Sequence, residues 1–209
     1  MPTTNRSNNR ADSTARNIIL TMLKDDHKRA KKAFRDFEKL DPHEDAEECR
    51  ALVEQTCGEL EVHAALEEEL FYPAARNYLS EEDLIDEAEV EHASLKSLIQ
   101  QLKNMEPEDE KYAATFTVLG EYVKHHVREE ENEMFPQLGR AKMDWKGLCD
   151  EMNSRREELM QEFLPEQAAG ASEKEELEME EDTEMVSTTG SEAASRQQSQ
   201  KQRGSRRSA

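Results

Sequence analysis

Two stretches of the chain are equipped for chemistry, and they resemble each other. One reads His63-Ala64-Ala65-Leu66-Glu67-Glu68-Glu69-Leu70-Phe71-Tyr72-Pro73. The other reads His126-Val127-Arg128-Glu129-Glu130-Glu131-Asn132-Glu133-Met134-Phe135-Pro136. Each sets a Glu four residues after a His and a Pro ten residues after it. On a helix, positions i and i+4 stand one turn apart on one face, so each stretch aims an imidazole and a carboxylate at one point. A single pair of this kind is most often a surface contact. Two pairs set among apolar residues differ, because a buried, unpaired carboxylate is expensive or takes up a proton.

The helices that must position these pairs are read from apolar steps of three and four residues. A first helix over 13–40 carries Leu20, Leu23, His27, Ala30, Phe34 and Phe37 on one stripe, and Asp41-Pro42 ends it. A second over 45–78 carries Val53, Thr56, Leu60, His63, Glu67, Leu70 and Ala74, with Pro73 predicting a kink. A third begins after Ser80, a candidate N-cap, and runs to 104 with Ile85, Ala88, His92, Leu95, Ile99 and Leu102 inward. A fourth over 107–135 carries Phe116, Leu119, Val123, His126, Glu130 and Met134, and Pro136 and Gly139 end it. A fifth over 142–163 is amphipathic through Trp145, Leu148, Met152, Leu159 and Phe163; with no inward His or Glu, it is expected on the outside or end of the bundle.

The pattern repeats. His27 and His92 each come directly after an acid, Asp26 or Glu91, and each opens a hairpin whose second helix carries His-x-x-x-Glu. Two such αα-hairpins make an all-α, up-down-up-down four-helix bundle whose pseudo-twofold axis passes between the His–Glu pairs.

Four stripes thus hold a His, two add a Glu, and no Lys or Arg falls in any of them to balance the carboxylates. A metal is the remaining cation. His27, His63, Glu67, His92, His126 and Glu130 form a mixed N/O set without thiolate, which suits iron or manganese ahead of zinc. Six side chains exceed what one tetrahedral zinc takes, and two ions bridged by Glu67 and Glu130 fit better. A ferritin-like centre needs Glu-x-x-His on two helices; Glu89-Val90-Glu91-His92 supplies one and the fourth helix none.

These residues resemble the haemerythrin-like family, the HHE cation-binding domain, over residues 14–137. The likeness rests on Asp26-His27, on His63-x-x-x-Glu67 with Glu-Leu-Phe-Tyr-Pro after it, on Glu91-His92, and on His126-x-x-x-Glu130 with Met-Phe-Pro after it. It implies a bundle around an oxo- or hydroxo-bridged di-iron centre in a protein that binds or senses oxygen or iron, or acts on peroxide or nitric oxide. Oxygen-carrying members have His-x-x-x-His on the third helix; here Ala88 takes the first position, leaving Glu89 or a water to stand in. Their fourth helix reads His-x-x-x-x-Asp, an offset that Glu131 has from His126 and Glu130 from His125; His126 with Glu130 continues the stripe and matches the first repeat. Tyr122, one turn before His126, is read as packing, and His43 as a loop residue.

Composition bounds the rest. At 209 residues the chain holds one domain with tails: a flexible leader over 1–12, the bundle over 13–137, an added helix over 138–164 and a disordered acidic-then-basic tail over 165–209. A formal net charge of −20 speaks against nucleic acid as a partner. No apolar run approaches the roughly 20 residues of a membrane span, and residues 1–10 lack a signal-peptide core. Cys49, Cys57 and Cys149 have no metal-type spacing and read as reduced, buried fillers of a cytoplasmic protein. The expectation is a metal-binding protein whose ligand is dioxygen, peroxide or nitric oxide, in sensing, storage or detoxification. The alternatives are a catalase-like peroxide-degrading enzyme and a helical interaction protein with a structural metal, reaching a protein partner through its tail.

Overall fold

The structure, a computed structural model, describes residues 4–80 and 83–164. All regular structure among them is helical: α1 (Thr4–Phe37), α2 (Ala46–Leu66), α3 (Tyr72–Ala75), α4 (Asp83–Leu102), α5 (Tyr112–Glu129), α6 (Phe135–Leu138) and α7 (Trp145–Phe163). A π-turn over Glu67–Phe71 joins α2 to α3, and another over Glu130–Met134 joins α5 to α6. α1 lies against α2 and α5, and α4 lies against α5 and α2, which is the cyclic adjacency of a four-helix bundle.

α1 begins nine residues before the expected start, so the leader is helical from Thr4. Packing further along α1 anchors this extension. Ala15 and Ile19 are buried, and the Arg16 guanidinium donates to the Gly139 carbonyl beyond α6. A helix fixed there extends outward at one hydrogen bond per residue, and neither Gly nor Pro interrupts it. The expected tail, 165–209, lies outside the described residues.

The prolines do not simply kink their helices. The Tyr72 N–H donates to the Glu67 carbonyl and the Phe135 N–H to that of Glu130, each five residues back. Pro73 and Pro136 lack the next N–H, and their rings press on the carbonyl four residues earlier; a widened turn relieves both. The widening shifts the inward face by one residue. Phe71, Tyr72 and Ala75 are buried, while Leu70 and Ala74, expected inward on an unbroken period, are only partly so. In the second copy Met134, Phe135 and Leu138 are buried.

The interior has three layers. One apolar cluster gathers Ile19, Leu23, Val62, Leu66, Phe71, Ile85 and Met134 with Trp145 and Met152 of α7. A second, toward the other end, gathers Phe34, Phe37, Val53, Ile99, Phe116 and Leu119. Between them lie buried Asp26, His27, His63, Glu67, His92, His126 and Glu130. Gly120 lets α5 approach α1, since a Cβ there would stand 2.9 Å from the Phe34 ring. The three cysteines are free and buried, and burial pushes the Cys57 thiol up to about 12. No helix among the described residues is long and apolar enough to cross a membrane.

Candidate metal centre

The polar layer brings together all six residues read from spacing. His63 Nε2 lies 3.1 Å from Glu67 Oε2, and His92 Nε2 lies 3.6 Å from the same oxygen. His27 Nε2 lies 3.1 Å from Glu130 Oε2, and His126 Nε2 lies 3.5 Å from it. The imidazoles also meet in pairs: Nε2 of His27 and His63 at 3.2 Å, and Nε2 of His92 and His126 at 3.0 Å.

Each outward ring nitrogen faces a carboxylate. Nδ1 of His27 is 2.9 Å from Glu131 Oε1, and Nδ1 of His92 is 3.0 Å from Glu68 Oε1. Nδ1 of His63 is 3.4 Å from Asp26 Oδ2, and Nδ1 of His126 is 2.8 Å from Glu91 Oε2. An ionised carboxylate only accepts, so Nδ1 carries a proton and Nε2 is the nitrogen left to face the centre. This outer bonding is the arrangement that orients metal-ligating imidazoles. It obeys the repeat. The acid before each inward His of α1 or α4 serves the His of the next helix, and the Glu after each inward Glu serves a His of the other hairpin.

These contacts set the electrostatics. Burial opposes charge on Asp26 and on Glu130. Hydrogen bonds from His63 and Arg156 outweigh it at Asp26, and the charges of His126 and His27 outweigh it at Glu130, so both carboxyls fall well below their usual range. A bond from His92, with Lys96 adding to it, lowers Glu68 to about 2 against the cost of its burial. Glu131 is lowered too, its partial burial outweighed by His27 and Lys31. With no cation at the centre, burial resists protonation of His63 and His126, yet Glu67 and Glu130 prevail and hold both rings above the ordinary imidazole value.

Whether the layer suits a metal is decided by its own contacts. Glu67 Oε1 and Glu130 Oε2 are buried without a hydrogen bond. Two pairs of Nε2 atoms confront each other at close range, and no Lys or Arg among the described residues pairs with Glu67 or Glu130. Such a set is stable only with positive charge among it, as protons or as cations. The ligand atoms of His27, His63, Glu67 and Glu130 all lie within 4.8 Å of one another, as do those of Glu67, His92 and His126. The residues fit a pair of bound cations.

The residues left open by the sequence fall outside the layer or at its edge. Tyr122 and His125 are exposed, Glu89 pairs with Arg76 at the surface, and Glu131 turns outward to His27. His43 is exposed in its loop. Sequence reasoning missed Tyr72. Its hydroxyl donates to Glu130 Oε1 at 3.0 Å and lies 3.3 Å from Glu67 Oε2. Burial, then the charges of Glu130 and Glu67, hold its proton well above the usual phenol range. Its counterpart in the second copy, Phe135, has no hydroxyl and stacks on His27 at 6.0 Å. Arg156 of α7 was missed as well; it gives Asp26 two bonds of 2.7 and 2.8 Å.

A bundle with an inward layer of four His and two Glu is a cation-binding four-helix domain. The Hemerythrin HHE cation binding domain matches residues 18–138, more than half of the chain, and the chain belongs to that family. A DNA nickase from Nostoc sp. (strain PCC 7120 / SAG 25.82 / UTEX 2576) is 30% identical over 99 residues, which are 47% of this chain and 28% of that protein. The chain therefore spans under a third of that relative's length. The fold is also that of a crystal structure of a Hemerythrin HHE cation binding domain-containing protein, the Rv2633c homolog from Mycobacterium kansasii. The TM-score is 0.55 at 24% identity, covering 66% of this chain and 83% of that one.

Proposed function

We propose that this chain is a non-haem di-iron haemerythrin-like protein that binds a small ligand: dioxygen, peroxide or nitric oxide. In this reading His27, His63, His92 and His126 are terminal ligands, and Glu67 and Glu130 bridge two ions. The observation that carries it is the confrontation of the four Nε2 atoms, each ring already committed through Nδ1, around two carboxylates with unsatisfied oxygens. The N/O donor set favours iron or manganese over zinc.

Bound iron supplies vacant positions and redox chemistry; the chain's own residues supply the rest. The outer carboxylates fix ring orientation and raise the basicity of the imidazoles. A cavity of about 20 Å³ adjoins the four imidazoles, walled by Ala30, Leu60, Leu95, Ile99, Val123 and Val127. That room admits a ligand of water's size, and Asp26, Glu59 and Lys96 also line it. Tyr72 holds a proton at its hydroxyl beside both carboxylates. The position of that hydroxyl favours a second reading, peroxide breakdown, which needs a hydrogen-bond donor fixed at the centre. The nickase activity named for the Nostoc relative is not carried over, because the match is a small part of that protein and the charge of −20 opposes nucleic acid.

The test is to load the full chain with iron in air. Two irons per chain with the near-ultraviolet bands of a bridged ferric pair are expected; well under one iron per chain overturns the reading. Oxygen evolution from peroxide, lost in His63→Ala, supports the enzymatic form, and none from the loaded protein removes it.

A further inference from the structure

The four outer carboxylates are not neutralised alike. Glu131 has Lys31 Nζ at 3.4 Å, Glu68 has Lys96, and Asp26 has Arg156 and Arg29. The repeat places the two lysines alike, each one turn after the inward His of its helix. Glu91 breaks the pattern. No Lys or Arg among the described residues pairs with it; it meets His125 instead.

His125 and Glu129 stand one turn apart on the outer face of α5. His125 Nε2 is 3.3 Å from Glu91 Oε1 and 3.2 Å from Glu129 Oε1. Glu91 is thus shared: its other oxygen, Oε2, bonds to His126 Nδ1 at 2.8 Å. Asp83, Asp86 and Glu87 line the same depression; Asp86 pairs with Arg76, while no Lys or Arg among the described residues pairs with Glu91 or Glu129. The ligand atoms of Glu91, His125 and Glu129 lie within 4.8 Å of one another. One imidazole nitrogen and two carboxylate oxygens from two helices, open to solvent on one side, are the three protein donors and vacant position of an exchangeable zinc-type site.

We propose that Glu91, His125 and Glu129 form a second, solvent-facing site for a divalent cation, which stands where Lys or Arg stands at the other three outer carboxylates. The site does not depend on what the buried centre holds. It is joined to that centre through Glu91, whose two oxygens serve one site each.

Titration of the iron-loaded, full-length protein with zinc, monitored by calorimetry, tests this. The reference is the double variant His125→Asn, Glu129→Gln, in which neither changed side chain pairs with any of the six central ones. The wild type is expected to take up one zinc that the variant binds at least about tenfold more weakly. Iron content and helicity should be equal in both. Equal zinc affinity in the two proteins overturns the proposal. So does absence of zinc uptake by the wild type, including the case in which a basic segment of the chain already covers Glu91. Iron content reports separately on the buried centre, so failure of one reading is distinguishable from failure of the other.

Discussion

The α1–α2 hairpin and the α4–α5 hairpin carry the same inner residues and differ in what stands behind them. Each offers an acid–His pair and a His-x-x-x-Glu pair, and each ends in a π-turn before a proline. Behind the first hairpin lies α7. Its Arg156 holds Asp26, whose bond to His63 is long at 3.4 Å. Behind the second no described helix brings an arginine, and Glu91 bonds His126 at 2.8 Å while also meeting exposed His125. A guanidinium that takes both oxygens of Asp26 leaves less for His63. Repetition thus builds the ligand layer, and a helix outside the repeat makes its halves unequal: one clamped by an arginine, the other closer to solvent.

If the halves are equivalent at the inner layer, His63→Ala and His126→Ala should do equal and large damage. Loss of an outer partner alone costs about 10–100-fold in metal affinity, so loss of a ligand should cost more than about 100-fold. Competition with a chromogenic chelator measures both, and a strong inequality would assign the layer to one hairpin.

The next effect is pH dependence. In the metal-free protein the folded values of His63 and His126 are raised. Their contribution to stability is complete below about pH 6.5 and is lost as pH rises through the folded values. Asp26 and Glu130 are lowered, so theirs is present above about pH 4 and lost as pH falls through the folded values. Metal-free protein should therefore be most stable on the acid side of neutrality. Cations displace the imidazole protons, so the gain in melting temperature on loading should widen from about pH 6 to about pH 8. A gap that narrows over that range contradicts the proton count at the centre.

Arg156→Met addresses the difference between the hairpins directly. Asp26 is buried and keeps only Arg29 and His63 as partners, so a loss of about 2 kcal/mol in chemical denaturation is expected. A neutral result would mean that α7 clamps nothing. The smallest effect belongs to Tyr72→Phe, which makes the first copy match the second. It removes one buried donor, worth about 1 kcal/mol, and should leave metal content intact while altering the bands of the loaded protein. Loss of metal would move Tyr72 from a proton-holding role to a structural one.

The sequence was legible where its period was unbroken. The spacing of His27, His63, Glu67, His92, His126 and Glu130 led to the layer in which all six are found, because each lies before or at the start of a π-turn, or on a helix without one. Past the turn the period misled. Leu70 and Ala74 gave way to Phe71 and Ala75, and the same shift brought Tyr72 inward while Tyr122 stayed exposed. A proline ten residues after His63 and after His126 was the available signal for that shift. Asp26 and Glu91 stood out only as neighbours of an inward His, Glu131 as a possible ligand and Glu68 not at all; their bonds to outward ring nitrogens were not legible, since these depend on facing helices. Arg156 lies on the polar side of an amphipathic helix, and nothing in its own neighbourhood points to Asp26.

The central claim is that two cations sit between the hairpins, bridged by Glu67 and Glu130. An anomalous difference map at the iron edge, from crystals of the iron-loaded chain, tests it most directly. Two peaks between those carboxylates, each within bonding distance of two of the four Nε2 atoms, are predicted. A single peak, or none in this layer from protein of known iron content, would contradict the account.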